Sequence, residues 1–140
     1  MSIIRGAALL LAFCAFAAAR QTQQRRMDSP VLGADMPLYP ALARQAGIEG
    51  RVEVQIRTDT DGKVISAMPL NGPGILRQVA LDNAKTWRFA HKRSEGTIVY
   101  EFKIIGKADL NEDYYRYGKV VFCPPNSVEV DFPPLIMARD

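Results

Sequence analysis

The chain has 140 residues, which is enough for one ordinary domain and too few for two. Hydrophobic residues make up 48% and charged residues 24%, the balance of a globular protein with a packed core and not of a disordered chain. The net charge of +3 comes from acids and bases interleaved along the chain, with no stripe of basic and aromatic residues, so no nucleic-acid partner is expected.

Residues 1–19 have the pattern of a secretory signal peptide. Arg5 precedes a short apolar run, and Ala17-Ala18-Ala19 forms a small-residue cleavage site. Only 14 uncharged residues separate Arg5 from Arg20. Because a spanning helix needs about 20 residues, no stable membrane span is expected. We therefore predict an exported protein.

Residues 20–35 are polar and predict a flexible lead with little to bury. A short helix is predicted next. Pro40 suits the first turn of a helix, and Gly47 is a natural terminator after a few small apolar residues.

The clearest pattern in the chain is a β-hairpin. Polar and apolar residues alternate without a break from Arg51 to Arg57, which predicts a strand with one buried and one solvated face. The Asp61-Gly62 pair indicates a tight turn, because both residues tolerate positive φ. The run from Val64 to Leu70 is predicted to pair back as the second strand.

A second helix and a third strand follow. From about Ile75 to Trp87 the apolar residues fall at helical spacing and predict a face that covers a sheet. After a turn at Glu95-Gly96, the residues from Thr97 to Ile105 alternate as a strand. The order helix, strand, strand, helix, strand predicts an α+β fold: a two-layer sandwich with a three-stranded antiparallel sheet.

Residues 107–140 form a C-terminal extension. Its first part is polar and contains three tyrosines, which predicts a loop: Tyr114, Tyr115 and Tyr117. Two runs that resemble strands follow, Lys119–Cys123 and Ser127–Phe132, with prolines able to turn the chain between them. We expect a C-terminal β-hairpin.

The residue inventory argues against an enzyme. His91 is the only histidine, and Cys123 is the only cysteine outside the signal peptide, so neither a multi-histidine metal site nor an internal disulfide can form. Asp59 and Asp61 lack the ligand spacing of a calcium loop and indicate a turn. Lipid attachment at Cys14 is disfavoured, because the residue before it is a bulky phenylalanine. No catalytic residue, metal or cofactor is expected.

Several short motifs together resemble the C-terminal domain of the TonB family of energy transducers. They occur in one order over residues 36–106: Pro37, Tyr39-Pro40, Ala43, Gly47, Gly50, Val52-Glu53-Val54, Asp59-Thr60-Asp61-Gly62-Lys63-Val64 and Trp87-Arg88-Phe89. Each motif alone is weak, and their common spacing makes the resemblance specific for the fold.

The resemblance implies a periplasmic domain that takes part in energy-dependent transmembrane transport. In that family a short extended segment of an outer-membrane receptor, the TonB box, adds as a strand beside the third strand. Carried over to this chain, the implied partner-binding residues are Met36, Leu38, Tyr39, Thr97, Val99, Glu101 and Lys103. Met36 stands where some members carry glutamine.

Two departures keep a second interpretation open. The lead of residues 20–35 contains no long proline-rich spacer, unlike that of the full transducers resembled. The C-terminal hairpin lies outside the family pattern and could pair with the third strand, closing the edge that a receptor needs. The alternative is an accessory or self-associating periplasmic domain, with a homodimer left open.

Overall fold

The computed structural model describes residues 30–90, 93–106, 118–123 and 126–135. The elements are, in chain order, β1 (Val31–Gly33), α1 (Ala41–Gln45), β2 (Gly50–Thr58), β3 (Val64–Pro69), α2 (Gly74–Ala84), β4 (Arg88–Phe89), β5 (Glu95–Ile104), β6 (Lys119–Cys123) and β7 (Ser127–Phe132). The predicted signal peptide, Cys14, His91 and the tyrosine-rich loop lie outside the described residues.

The main sheet has five strands in the order β3-β2-β5-β7-β6. β2 pairs antiparallel with both β3 and β5, which confirms the three-stranded antiparallel sheet. β6 and β7 form the C-terminal hairpin at the residues where the sequence predicts it. α2 packs on one face of the sheet against β2, β3 and β5. The predicted α+β, two-layer class is therefore confirmed.

The core lies between α2 and the sheet. Its strand residues are the alternate apolar ones, and each is at most 1% exposed: Val52, Val54, Ile56, Ile98, Tyr100, Phe102, Val128 and Val130. Trp87 is 1% exposed, and its ring centroid lies 5.8 Å from that of Phe89 and 5.9 Å from that of Phe122 in β6. Because a buried aromatic ring removes about 150–250 Å² from water, these contacts tie the hairpin to the core.

The turn between β2 and β3 is built by Asp59 and Gly62. A carboxylate oxygen of Asp59 accepts hydrogen bonds from the backbone N–H of Asp61 at 2.9 Å and of Lys63 at 3.0 Å. Gly62 has φ +78°, and a Cβ there would lie 1.9 Å from the carbonyl oxygen of Phe89. The aspartates therefore shape a turn, as the sequence indicates, and only glycine fits its tightest position.

The two helices begin and end close to the predicted positions. α1 begins after Pro40 and ends before Gly47, whose φ is +67°. α2 ends at Ala84, before its predicted end. The reason is a tight last turn, in which the backbone N–H and the hydroxyl of Thr86 both donate to the carbonyl oxygen of Asn83, at 2.9 and 2.8 Å. Among the residues that the structure describes, neither helix is long and apolar enough to cross a membrane.

A second, two-stranded sheet departs from the sequence prediction. β1 falls within the segment predicted as a flexible lead, and it pairs antiparallel with β4. Val31 packs against the core opposite Phe89, and the N–H of Ala90 donates to the carbonyl oxygen of Pro30 at 2.9 Å. The end of the lead is ordered because it buries an apolar side chain.

Candidate functional site

The four β5 residues predicted to bind a partner share one edge of that strand. Thr97, Val99, Glu101 and Lys103 alternate along β5. The N–H of Val99 donates to the carbonyl oxygen of Asn126 at 2.8 Å, on the side away from β2. Since main-chain groups of alternate residues point the same way, all four residues present their N–H and C=O groups to this edge, where Asn126 and then β7 lie.

β7 lies along this edge without interruption. Its parallel register runs from Val99 opposite Ser127 to Ile104 opposite Phe132, six positions in all. The sequence left two arrangements open, a free edge and an edge closed by the hairpin, and the structure has the closed one. β7 supplies the main-chain partners of this edge from Val99 onward. Binding of a partner by these residues stays a prediction.

Asn126 fastens the start of β7. Its carbonyl oxygen accepts the hydrogen bond from Val99, and its side-chain amide donates to the carbonyl oxygen of Thr97 at 2.6 Å. Asn126 and Thr97 are each 7% exposed. Asn126 is buried, accepts one hydrogen bond with its main-chain carbonyl and donates another from its side-chain amide. It therefore fixes the register in which β7 pairs with β5.

Arg44 and Tyr39 fasten the other end. The ring of Phe132 lies 5.9 Å from that of Tyr39, and the Arg44 guanidinium sits 5.2 Å from the centre of the Phe132 ring. The Nε of Arg44 donates to the carbonyl oxygen of Pro133 at 2.8 Å. A cation over an aromatic face and a charge-assisted hydrogen bond therefore hold this end to α1.

Tyr39 lies inside the fold and not on its surface. Its ring packs edge-on to Phe102 at 5.3 Å, and its hydroxyl donates to the carbonyl oxygen of Ile48 at 2.6 Å. Burial, reinforced by the nearby Glu49 carboxylate and opposed by Arg44, raises the pKa of Tyr39 to about 12. Tyr39, one of the predicted partner residues, is therefore buried beneath the β5–β7 edge and supports it.

Met36 and Leu38 lie elsewhere, in an open groove on α2. These large apolar side chains are 65% and 75% exposed, and the nearby Leu32 and Leu42 are exposed to a similar degree, at 67% and 69%. The groove has a volume of about 310 Å³, and its walls are Asp35, Met36, Pro37, Leu38, Val79, Asp82, Asn83 and Thr86. The structure therefore divides the predicted site into a strand edge and a groove.

Asn83 joins the groove to the core. Its side-chain oxygen accepts hydrogen bonds from the Trp87 indole N–H at 3.1 Å and from the Tyr100 hydroxyl at 2.9 Å. Its amide nitrogen donates to the carbonyl oxygen of Asp35 at 2.7 Å. Burial raises the pKa of Tyr100. Asn83 thus holds the groove's outer wall to α2 and to β5.

Three residues of this region were missed in the sequence: Arg44, Asn83 and Asn126. Asn83 sits on the apolar side of the predicted helix, so a polar residue on a covered face was the available signal. Asn126 directly precedes an alternating run, which is where a strand-anchoring side chain belongs. Nothing in the sequence indicated the role of Arg44, because its partner carbonyl lies 89 residues away.

Charges on the solvated face of the sheet are unevenly matched. In register, Asp131 lies between Lys103 and Lys119, so its neighbours carry the opposite charge. Glu129 lies directly beside Glu101, whose carboxylate bonds to the Arg51 guanidinium at 3.2 Å. Side-by-side like charges weaken a strand pair. The fit of β7 on β5 is therefore not optimal at Glu129.

Comparison with known proteins identifies the matching family. The family described as "Gram-negative bacterial TonB protein C-terminal" matches residues 35–105, half of the chain. Protein TonB of Vibrio cholerae serotype O1 is 36% identical over 77 residues, a stretch that covers 52% of this chain and 32% of the relative. The match thus spans about a third of that protein's length.

A solved structure is also similar. The solution NMR structure of the Pseudomonas aeruginosa TonB C-terminal domain is 28% identical, with a TM-score of 0.48. The similarity covers 55% of this chain and 87% of that one. The family match ends just after β5, so the β6–β7 hairpin lies beyond it.

Proposed function

The chain belongs to the family of TonB C-terminal domains, and we propose that it binds an extended peptide segment of an outer-membrane receptor by adding that segment as a strand to its sheet. The observation that carries the proposal is the pairing of β7 with β5 over six positions. The outer edge of β5 accepts a strand in continuous register. A receptor peptide would take the same place.

The physical basis is β-augmentation. Main-chain groups of Thr97, Val99, Glu101 and Lys103 would bond to the peptide backbone, and the pockets for alternate side chains would select the sequence. Tyr39 supports one end of the edge, while Met36 and Leu38 offer exposed apolar surface to residues flanking the added strand. Because β7 holds the edge, binding there requires β7 to leave.

Titration of the ¹⁵N-labelled protein with N-terminal receptor peptides tests the proposal. Binding by strand addition should shift the amides of residues 97–104 and of β7 together, because the peptide replaces one strand pair with another. A control peptide with proline at two alternate positions should shift neither set, since it lacks the donors. Binding that leaves both strands unshifted would contradict the proposal.

The second candidate function is that of an accessory domain whose sheet is closed by its own hairpin. The burial of Val128 and Val130 in the core favours it, because a strand so placed resembles a permanent part of the fold. The same peptide titration distinguishes the two candidate functions. Absence of binding at millimolar peptide, with the β5 amides protected from exchange throughout, would favour the accessory domain.

The proposed setting is the periplasm, with a role in energy-dependent transport across the outer membrane. The signal-peptide pattern of residues 1–19 supports export, and the family supports the transport role. N-terminal sequencing of the protein from the exporting cell should give a first residue near Arg20. A retained Met1 would contradict cleavage and would support an anchored transducer.

A further inference from the structure

We propose that the sequence of β7 mimics that of the peptide ligand. The β5 edge then selects peptides that run parallel to β5 and carry, at alternate positions, a donor amide, two buried β-branched residues and an aromatic residue. In this chain those places are held by Asn126, Val128, Val130 and Phe132. The inference rests on the proposed function and specifies the class of peptide that the edge takes.

The first position of the pattern is defined by hydrogen bonding. Asn126 presents a carbonyl oxygen to Val99 and a side-chain donor to the buried carbonyl oxygen of Thr97. A ligand residue without a donor would leave the Thr97 carbonyl unsatisfied in a site that is 7% exposed. The edge therefore favours a peptide with an amide side chain at its leading end.

The two central positions are defined by space. Val128 stands in register with Tyr100 and Val130 with Phe102, and both valines are 0% exposed. Large aromatic neighbours leave room for compact side chains, and β-branched ones suit an extended backbone. A charged side chain at either place would be buried without a partner. Alternate small apolar residues are thus required.

The last position is defined by aromatic contacts. The Phe132 ring meets Tyr39 and the Arg44 guanidinium, and its carbonyl oxygen accepts a hydrogen bond from the N–H of Ile105 at 3.0 Å. An aromatic ring satisfies both contacts, whereas an aliphatic side chain loses the attraction to the cation. This end sets the direction of the peptide as well as its length.

One position leaves room for a better ligand than β7. Glu129 lies beside Glu101, a like-charged pair. A lysine in its place would face an opposite charge and strengthen the strand pair. β7 is covalently tethered beside β5, so its effective concentration at the edge is in the millimolar range, and a free peptide must compete against it. The apparent affinity of the peptide therefore rises as the pairing of β7 with β5 is weakened. A peptide with lysine at this position should therefore displace β7 more readily than a peptide with glutamate there.

The test uses a synthetic peptide with the sequence of residues 126–133, carrying a nitroxide at its N-terminus. It is added to the ¹⁵N-labelled chain from residue 20 and to the Asn126→Ala variant, in which β7 loses its side-chain hydrogen bond. The variant should bind the peptide about tenfold more tightly. Ile56→Val, which destabilises the core away from β7, is the matched control and should leave the affinity unchanged.

Direction and pattern are read in the same samples. The nitroxide should broaden the amides of Thr97 and Val99 and spare Ile104, because the peptide runs parallel to β5. A Glu129→Lys peptide should bind about two- to fivefold more tightly than the parent, as expected for a cross-strand ion pair. A Val130→Asp peptide should show no binding.

The possible outcomes distinguish the recognition pattern from the proposed strand addition on β5. Broadening confined to Lys119–Cys123, with Thr97 and Val99 unaffected, would mean that the peptide had joined β6, and it would overturn both the pattern and strand addition at β5. Receptor peptides that bind β5 without the pattern, or that bind antiparallel, would overturn the pattern alone. Failure of every peptide to bind, including on the Asn126→Ala variant, would overturn the proposed function with it.

Discussion

The two long edges of the antiparallel part of the sheet, β3 and β5, are built in opposite ways. β3 is six residues long, has a register shift against β2 and ends in Pro69. The N–H of Leu70 donates inward to Glu53, so Pro69 occupies a position whose main chain faces outward. β5 is ten residues long and carries a parallel strand over six positions.

The difference indicates where a strand can be added. Short length, an irregular register and a proline are features by which sheet edges avoid pairing with other chains. β5 has the length and regular register that pairing requires, and in this chain it is paired. The β3 side is therefore protected by its own sequence, while the β5 side is built to take a strand. Each prediction below changes one side and leaves the other intact.

The largest effect is expected from Val130→Asp, which places a charge where Val130 is 0% exposed. The unfolding free energy should fall by about 3–5 kcal/mol, because the carboxylate is buried without a partner. Val121→Asp, on the solvated side of β6, should change it by less than about 1 kcal/mol. Urea unfolding followed by tryptophan fluorescence measures both. Equal, small losses would mean that β7 is not seated in the core.

On the β3 side, Gly62→Ala should cost about 2–3 kcal/mol, because alanine is strained at φ +78° and its Cβ meets the carbonyl oxygen of Phe89. Gly33→Ala, where nothing lies within 4 Å of the added carbon, should stay within about 0.5 kcal/mol. Thermal unfolding compares the pair. A Gly62→Ala variant as stable as the parent would contradict this geometry, because the turn would then accommodate the added Cβ.

Alkaline pH should weaken the β5 side. The folded state raises the pKa of Tyr39 from 10 to about 12, so it holds a proton that the unfolded chain gives up. Stability is therefore complete below about pH 10 and falls as the pH rises toward 12. Tyr39 contributes at most about 1.4 kcal/mol per pH unit, and Tyr100, whose pKa burial also raises, adds to the fall. Urea unfolding at pH 8, 10 and 11 measures the fall, which Tyr39→Phe should reduce. A flat profile to pH 12 would be inconsistent with a buried Tyr39.

The smallest effect concerns the fastening of β7. Arg44→Ala removes the hydrogen bond to Pro133 and the contact with the Phe132 ring, and should cost about 1–2 kcal/mol. Arg57→Ala removes a pair with Glu95 in which both side chains are largely exposed, and should cost less than about 1 kcal/mol. Chemical denaturation resolves the difference. The reverse order would exclude Arg44 as an anchor.

Local patterns in the sequence predicted the strands well and their long-range contacts poorly. Alternation located β2, β5 and both strands of the C-terminal hairpin, because a period of two follows from the strand itself. It could not determine whether the hairpin closes β5, since Asn126 and Thr97 are 29 residues apart. Asn83 was missed for the same reason: its bond to the Asp35 carbonyl spans 48 residues.

The central claim is that β7 occupies the strand position that a peptide ligand would take on β5. Amide hydrogen exchange of the peptide-free protein tests it directly by comparing Glu101 and Lys103, which face β7, with Ala67, which faces outward from β3. We expect the first two to exchange far more slowly than Ala67, and the Asn126→Ala variant to speed up only those two. Exchange at Glu101 and Lys103 as fast as at Ala67 would contradict the account.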